Sequence, residues 1–271
     1  MIGRNNNNKL NGHGYRKTGG EAIVIDRKGG VGILMIHGFS STPRQFKELA
    51  AYSAEKGFTV HAPLIVGHGT SPKKFAKTNS QDWLNSAKKA YDDLRSKVDR
   101  VFIVGNSFGG NLAFAIAKDA GPELKGIISL GTPIVIRLQK LIKLRIYTYG
   151  LFKKYYRKPQ KVYKIDYTDL VDEITYPVIP IKCIKEFMHF VEQETIPNLD
   201  KVKVPSMIVH ANIDPVVNPK SAQKIHEGLG SRYKMIYWFD SENHDLFTDR
   251  QRFKLFKKMH QFIKEVDQGD K

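Results

Sequence analysis

Residues 101–110, VFIVGNSFGG, constrain this chain more than any other stretch of its sequence. The run at 101–104 is apolar on every residue, as in a strand buried on both faces, and the small residues of 107–120 read as a helix. Gly105, Asn106, Ser107, Phe108 and Gly109 leave almost no length between the two. Such a turn needs glycines, because a Cβ on either side would collide as strand and helix close on each other. A strand that runs straight into a helix belongs to a mainly parallel sheet with helices on both faces.

The rest of the chain keeps that rhythm. Strands are expected at 21–26, 31–36, 58–62, 124–130, 206–211 and 233–239, the first two paired across a tight turn at Lys28, Gly29 and Gly30. Helices are expected at 43–56, opened by Pro43; at 81–97, capped by Ser80; and at 221–229 and 250–266. Between 133 and 200 the rhythm breaks. Residues 134–156 have helical periodicity, and 157–200 read as helical pieces interrupted by Pro159, Pro177, Pro180 and Pro197. The expected organisation is a flexible arm at 1–20, a core at 21–132 and 201–271, and a mainly helical cap at 133–200.

The chemistry lies in the turn. G-x-S-x-G alone is a weak signal, but between a strand and a helix it lifts a serine hydroxyl above the sheet edge, at the positive end of a helix dipole. A serine hydroxyl needs a base, and the base needs an acid to orient it. Asp214 follows the strand at 206–211 and His244 follows the strand at 233–239, in the order acid, then histidine. Asp240 and Asp245 compete as the acid, but their nearness to His244 suits loop bracing. His210 falls inside a strand, His226 and His260 on helices and His13 in the arm, so none is placed to reach Ser107. Two amides are expected to hold the developing oxyanion: that of Phe108, and that of Phe39 in the loop after residues 31–36. His37 reads as a loop brace.

These features carry a resemblance. The stretches ILMIHGFSSTPRQFKELA (33–50), HAPLIVGHGTSP (61–72), VGNSFGGNLA (104–113), VHANIDPVVNPKSA (209–222) and ENHD (242–245) resemble the α/β-hydrolase superfamily, within it the bacterial carboxylesterase and monoacylglycerol-lipase branch. The resemblance implies a serine esterase acting on short- to medium-chain carboxylic esters, monoacylglycerols among them, without metal or cofactor. Ser107, Asp214 and His244 match the triad positions, and Phe39 and Phe108 the oxyanion-hole positions. The elbow departs from the usual pattern in having Asn106 before and Phe108 after the serine. Leu138, Leu141, Ile142, Phe152, Phe187 and Phe190 are the expected walls for an acyl chain. A thioesterase, acyltransferase, small peptidase or haloperoxidase-like reaction on the same fold stays open, as does a non-catalytic basic binding module.

Charge narrows the partners. Lys and Arg number 44 against 27 Asp and Glu, a formal net charge of +17. Residues 133–165 hold ten basic groups and no acid, and 166–200 then hold eight acids against two lysines. Adjacent blocks of opposite sign suit mutual pairing better than a phosphate-binding strip, so no specific nucleic-acid partner is expected. A basic, apolar-faced cap suits peripheral contact with an anionic lipid surface. The single cysteine, Cys183, excludes an internal disulfide. With no apolar leader in residues 1–20, the cytoplasm is the expected compartment.

Overall fold

A computed structural model describes residues 20–28, 30–135, 144, 146, 148, 153–157, 176 and 178–269. Its strands are β1 (Ile23–Ile25), β2 (Val31–Ile36), β3 (Thr59–Ala62), β4 (Arg100–Asn106), β5 (Leu124–Leu130), β6 (Tyr155–Arg157), β7 (Val178–Pro180), β8 (Ser206–Ala211) and β9 (Lys234–Phe239). The helices used below are α1 (Lys47–Glu55), α2 (Pro72–Phe75), α3 (Ser80–Arg95), α4 (Phe108–Ala117), α5 (Ile181–Phe190), α6 (Lys220–Gly228) and α7 (Arg252–Asp267). Seven of the described strands form one sheet, in the order β1-β3-β2-β4-β5-β8-β9. β1 is antiparallel to β3, and every other pairing in that sheet is parallel. This is the α/β-hydrolase architecture expected from the sequence.

The central strands are apolar throughout because both of their faces are covered. Alternate side chains go to opposite sides. Leu34, Ile36, Val101 and Ile103 pack with Trp83 and Leu94 of α3 and Leu112 of α4. Ile33, Met35, Phe102 and Val104 pack with Leu49 of α1 and Phe256 and Phe262 of α7. α7 therefore buries an apolar stripe, and Lys254 and Lys257, on its other side, are exposed.

Three local expectations need correction. β1 and β2 do not pair with each other, because β3 and β4 take both edges of β2 and the short β1 joins the far edge of β3. α3 is capped by Asn79, not Ser80: Asn79 accepts from the Asp82 amide and Asp82 accepts from the Asn79 amide, both at 3.0 Å. That reciprocal box satisfies two end amides, which one serine hydroxyl cannot do. Residues 157–200 are not only helical pieces, since β6 and β7 form an antiparallel ribbon.

The described end of the 133–200 segment is joined to the core. Tyr176 accepts from the Thr70 amide at 2.6 Å, and Glu186 accepts from the amide and hydroxyl of Ser80 at 3.2 and 2.9 Å. Asn111 Nδ2 donates to Thr195 Oγ1 at 3.2 Å, and Lys118 pairs with Glu194 at 3.0 Å. Cys183 is buried, and that burial raises its thiol pKa to about 12.

Candidate active site

The loops that follow β2, β4, β8 and β9 meet above the carboxyl ends of those strands, where open α/β sheets bind ligands. β4 ends at Asn106 and α4 begins at Phe108, so Ser107 alone makes the turn. Its backbone sits at φ 52°, ψ −119°, a left-side conformation that costs a non-glycine residue on the order of 1–3 kcal/mol. The neighbouring glycines are required by contact. A Cβ on Gly109 would lie 2.0 Å from the Ile36 carbonyl oxygen, and one on Gly105 would lie 2.5 Å from that of Gly109.

Asp214 and His244 are brought to the same place by loops. His244 Nδ1–H donates to Asp214 Oδ2 at 2.7 Å, a carboxylate being able only to accept. That proton fixes the tautomer and leaves the Nε2 lone pair facing Ser107 Oγ at 3.2 Å. Asp214 is 1% exposed, and its Oδ1 accepts from the Val216 and Val217 amides at 2.7 and 2.8 Å. Burial pushes its pKa up, but the bond to His244, the imidazole charge and the two amides outweigh this, and the carboxyl ends below its ordinary value. Gly131, at φ +53°, backs the imidazole so closely that a Cβ there would lie 3.3 Å from His244 Cε1.

Of the competing acids, Asp245 accepts from the Phe247 amide at 3.2 Å and opens the short helix Leu246–Thr248. Burial raises its pKa. Asp249, which the sequence did not single out, accepts from the Ser241 hydroxyl at 2.6 Å and the Gln251 amide at 2.7 Å, bracing the loop that carries His244.

Phe39 and Phe108 stand on the other side of Ser107. Phe108 is the first residue of α4, so its amide is among those a helix leaves without an internal partner. Phe39 occupies a turn closed by the Ser41 amide on the Gly38 carbonyl at 3.1 Å, with Ser40 at φ 59°. That closure leaves the Phe39 amide outside the turn's own bond. His37 holds the turn from behind. The Ile65 amide donates to His37 Nε2 at 3.1 Å, so Nδ1 carries the proton and donates to the Gly38 carbonyl at 3.0 Å. Burial lowers the His37 pKa to about 4, which keeps the ring neutral.

The rings of Phe39 and Phe108 belong to an aromatic cluster. Phe187 of α5 lies 5.2 Å from Phe39 and 5.3 Å from Phe108, and Phe190 lies 5.4 Å from Phe108. Phe75 and Trp83 complete it at 5.4 and 5.6 Å from Phe39. Phe75 and Trp83 are fully buried, so they back Phe39 from the core. Leu138, Leu141, Ile142 and Phe152 lie outside the described residues. Among the described residues, no group of three or more His, Cys, Asp or Glu is arranged to hold a metal ion. No described helix is long and apolar enough to cross a membrane.

A family model described as serine aminopeptidase, S33, matches residues 31–251. The chain belongs to this family of α/β hydrolases. A carboxylesterase of Bacillus subtilis (strain 168) is 25% identical over 238 residues, covering 87% of this chain and 93% of the relative. A thermostable monoacylglycerol lipase of Bacillus sp. (strain H-257) is 27% identical over 249 residues, covering 92% and 96%. Among solved structures, one from a study of LipS and LipT, two metagenome-derived lipolytic enzymes, superposes with a TM-score of 0.80 at 25% identity. It covers 91% of this chain and 98% of the other. The hydrolase thus lies in the carboxylesterase and monoacylglycerol-lipase branch that its motifs resemble.

Proposed function

We propose that this chain, a carboxylic ester hydrolase, cleaves short- to medium-chain esters, monoacylglycerols among them, through an acyl-enzyme on Ser107. The observation that supports it most is the line of contacts from Asp214 through His244 to Ser107 Oγ, at 2.7 and 3.2 Å. His244 Nε2 takes the hydroxyl proton as Ser107 Oγ bonds to the ester carbonyl carbon. The carbonyl oxygen becomes an oxyanion facing the amides of Phe39 and Phe108. Collapse breaks the bond to the alcohol oxygen, which receives the proton from His244 and leaves. Water then gives a proton to His244 and adds to the acyl carbon; the carboxylic acid departs and Ser107 Oγ regains its proton.

Ester substrates are favoured over the amides that the family's description suggests. The surface offered by Phe39 and Phe187, both partly exposed, is apolar, which suits an acyl chain better than the ammonium group of a peptide. Residues 133–200, as the substrate-selecting insert, and the cytoplasm, as the compartment, are part of the same proposal. Contact with anionic lipid is supported by residues 153–157, KKYYR, all exposed, with Tyr155 and Tyr156 at 41% and 43%. Co-sedimentation with vesicles should rise with anionic lipid content; binding that ignores that content would overturn this contact.

Labelling with a fluorophosphonate, wild type beside Ser107→Ala, tests the mechanism. Only the wild type should label, and equal labelling would sink it. Nitrophenyl esters of increasing acyl length, set beside acyl-CoA and aminoacyl amide substrates, test the substrate class. Faster turnover of the amides would transfer the proposal to peptide chemistry.

A further inference from the structure

Two described histidines lie in strands, His61 on β3 and His210 on β8, and the surroundings of His210 are unusual. It is fully buried on β8, and neither ring nitrogen makes a hydrogen bond of ordinary geometry, although the Val217 backbone carbonyl also acts on the ring. A buried polar ring left in that state is costly, and an apolar side chain would pack a strand interior at no such cost. Its Nε2 lies 3.6 Å from Asp214 Oδ2, the oxygen that also accepts from His244. Its neighbour across the ladder is Trp238 on β9, whose ring lies 6.2 Å away at 68° and closes the space on that side.

We propose that His210 is a positioning residue for the candidate triad: a neutral imidazole that carries its proton on Nε2 and directs it at Asp214 Oδ2. The proposal deepens the esterase reading and rests on it. The carboxylate would then have two donors on each oxygen, the Val216 and Val217 amides on Oδ1 and the two imidazoles on Oδ2. Two consequences follow for the base. The carboxylate plane is held from behind, so the His244 ring is aimed at Ser107 instead of rocking about the 2.7 Å bond. A carboxylate whose charge is shared among more donors also stabilises an imidazolium less. The titratable groups that act on His210 are Asp214, beyond the end of its own strand, and His244, on the loop after β9. Burial lowers the His210 pKa, which agrees with a neutral ring.

Three variants separate this from simple packing. His210→Leu keeps bulk and removes the donor; His210→Gln restores an N–H near the Nε2 position; His210→Asn offers one near Nδ1. Loss of the donor should move the acid limb of kcat/KM to higher pH by several tenths of a unit and lower kcat several-fold with little change in KM. Gln, but not Asn, should return both toward the wild type. Unchanged limbs in Leu, or equal behaviour of Gln and Asn, would overturn the proposal. A measurement that needs no variant covers the case in which Leu does not fold: nitrogen-15 shifts of the wild-type His210 ring should report a neutral, Nε2-protonated tautomer. An Nδ1-protonated or cationic ring at neutral pH would overturn it. Ser107→Ala is assayed in parallel. Full activity in that variant breaks the esterase mechanism, whereas the nitrogen shifts report on His210 whatever Ser107 does.

Discussion

The two walls beside Ser107 are built by different forces. On one side, Asp214, His244, Ser241 and Asp249 are fixed by directed hydrogen bonds of 2.6 to 2.8 Å within and between the loops that follow adjacent strands. On the other, Phe39, Phe75, Trp83, Phe108, Phe187 and Phe190 are held by ring contacts between centroids 5.2 to 6.0 Å apart. A hydrogen bond weakens steeply with a few tenths of an ångström or a modest rotation, which suits a proton transfer. Packed rings define a volume and tolerate exchange of one apolar shape for another. The polar wall is therefore suited to reactivity and the aromatic wall to shape.

Substitutions can break that division, and the polar wall should give the largest effects. Asp214→Asn should cut kcat by about 10⁴-fold, since an amide no longer enforces the tautomer that His244 needs. A loss under tenfold would mean that another acid serves. The same change should alter the response to acid. The Asp214 carboxyl lies below its ordinary pKa in the folded protein, so its contribution to stability is present above the ordinary carboxylate range and lost as pH falls through the lowered value. Unfolding midpoints should thus fall more steeply with acidification in the wild type than in Asp214→Asn.

Phe108→Ala comes next and should act on stability. The ring is 1% exposed and touches four aromatic neighbours, so about 3–4 kcal/mol should be lost in denaturant melts. Phe187→Ala should be milder and selective: roughly tenfold lower kcat/KM for esters whose chain contacts that ring, with little change for acetyl esters. A uniform loss across chain lengths would assign Phe187 to the chemistry instead. Asn79→Ala is the smallest, about 1 kcal/mol from the cap of α3 with kcat unchanged.

The same division explains what could be read in the sequence. Ser107, Asp214 and His244 stood out because each is a chemically distinctive residue just past an apolar run, and the parallel sheet brings those ends together. The aromatic wall was only partly legible. The sequence points to Phe187 and Phe190, but Phe75 and Trp83, core rings that back Phe39, carry no mark that separates them from any other buried ring. His210 was set aside for lying within a strand. Its spacing of four from Asp214 was visible, yet no local rule says that the turn after β8 folds the carboxylate back toward it. Pairing of β1 with β3 was hidden for a related reason: strand order depends on which edges other strands have already taken. The Asn79 cap, by contrast, was readable from Asp82 three residues on, and Ser80 beside it was the poorer choice.

Ser107 and His244 are 137 residues apart in the chain, and β9 must join the sheet beyond β8 before the imidazole reaches the hydroxyl. At ordinary rates of synthesis, ~5–20 residues per second, roughly 7 to 27 s separate the appearance of the two residues at the ribosome. During that interval the nascent chain carries an ordinary, unarmed alcohol. On the proposed mechanism, acyl esters in the surrounding medium meet a working nucleophile only once the last strand is in place, so chains truncated before residue 244 should be inert toward fluorophosphonates even where the earlier strands have folded.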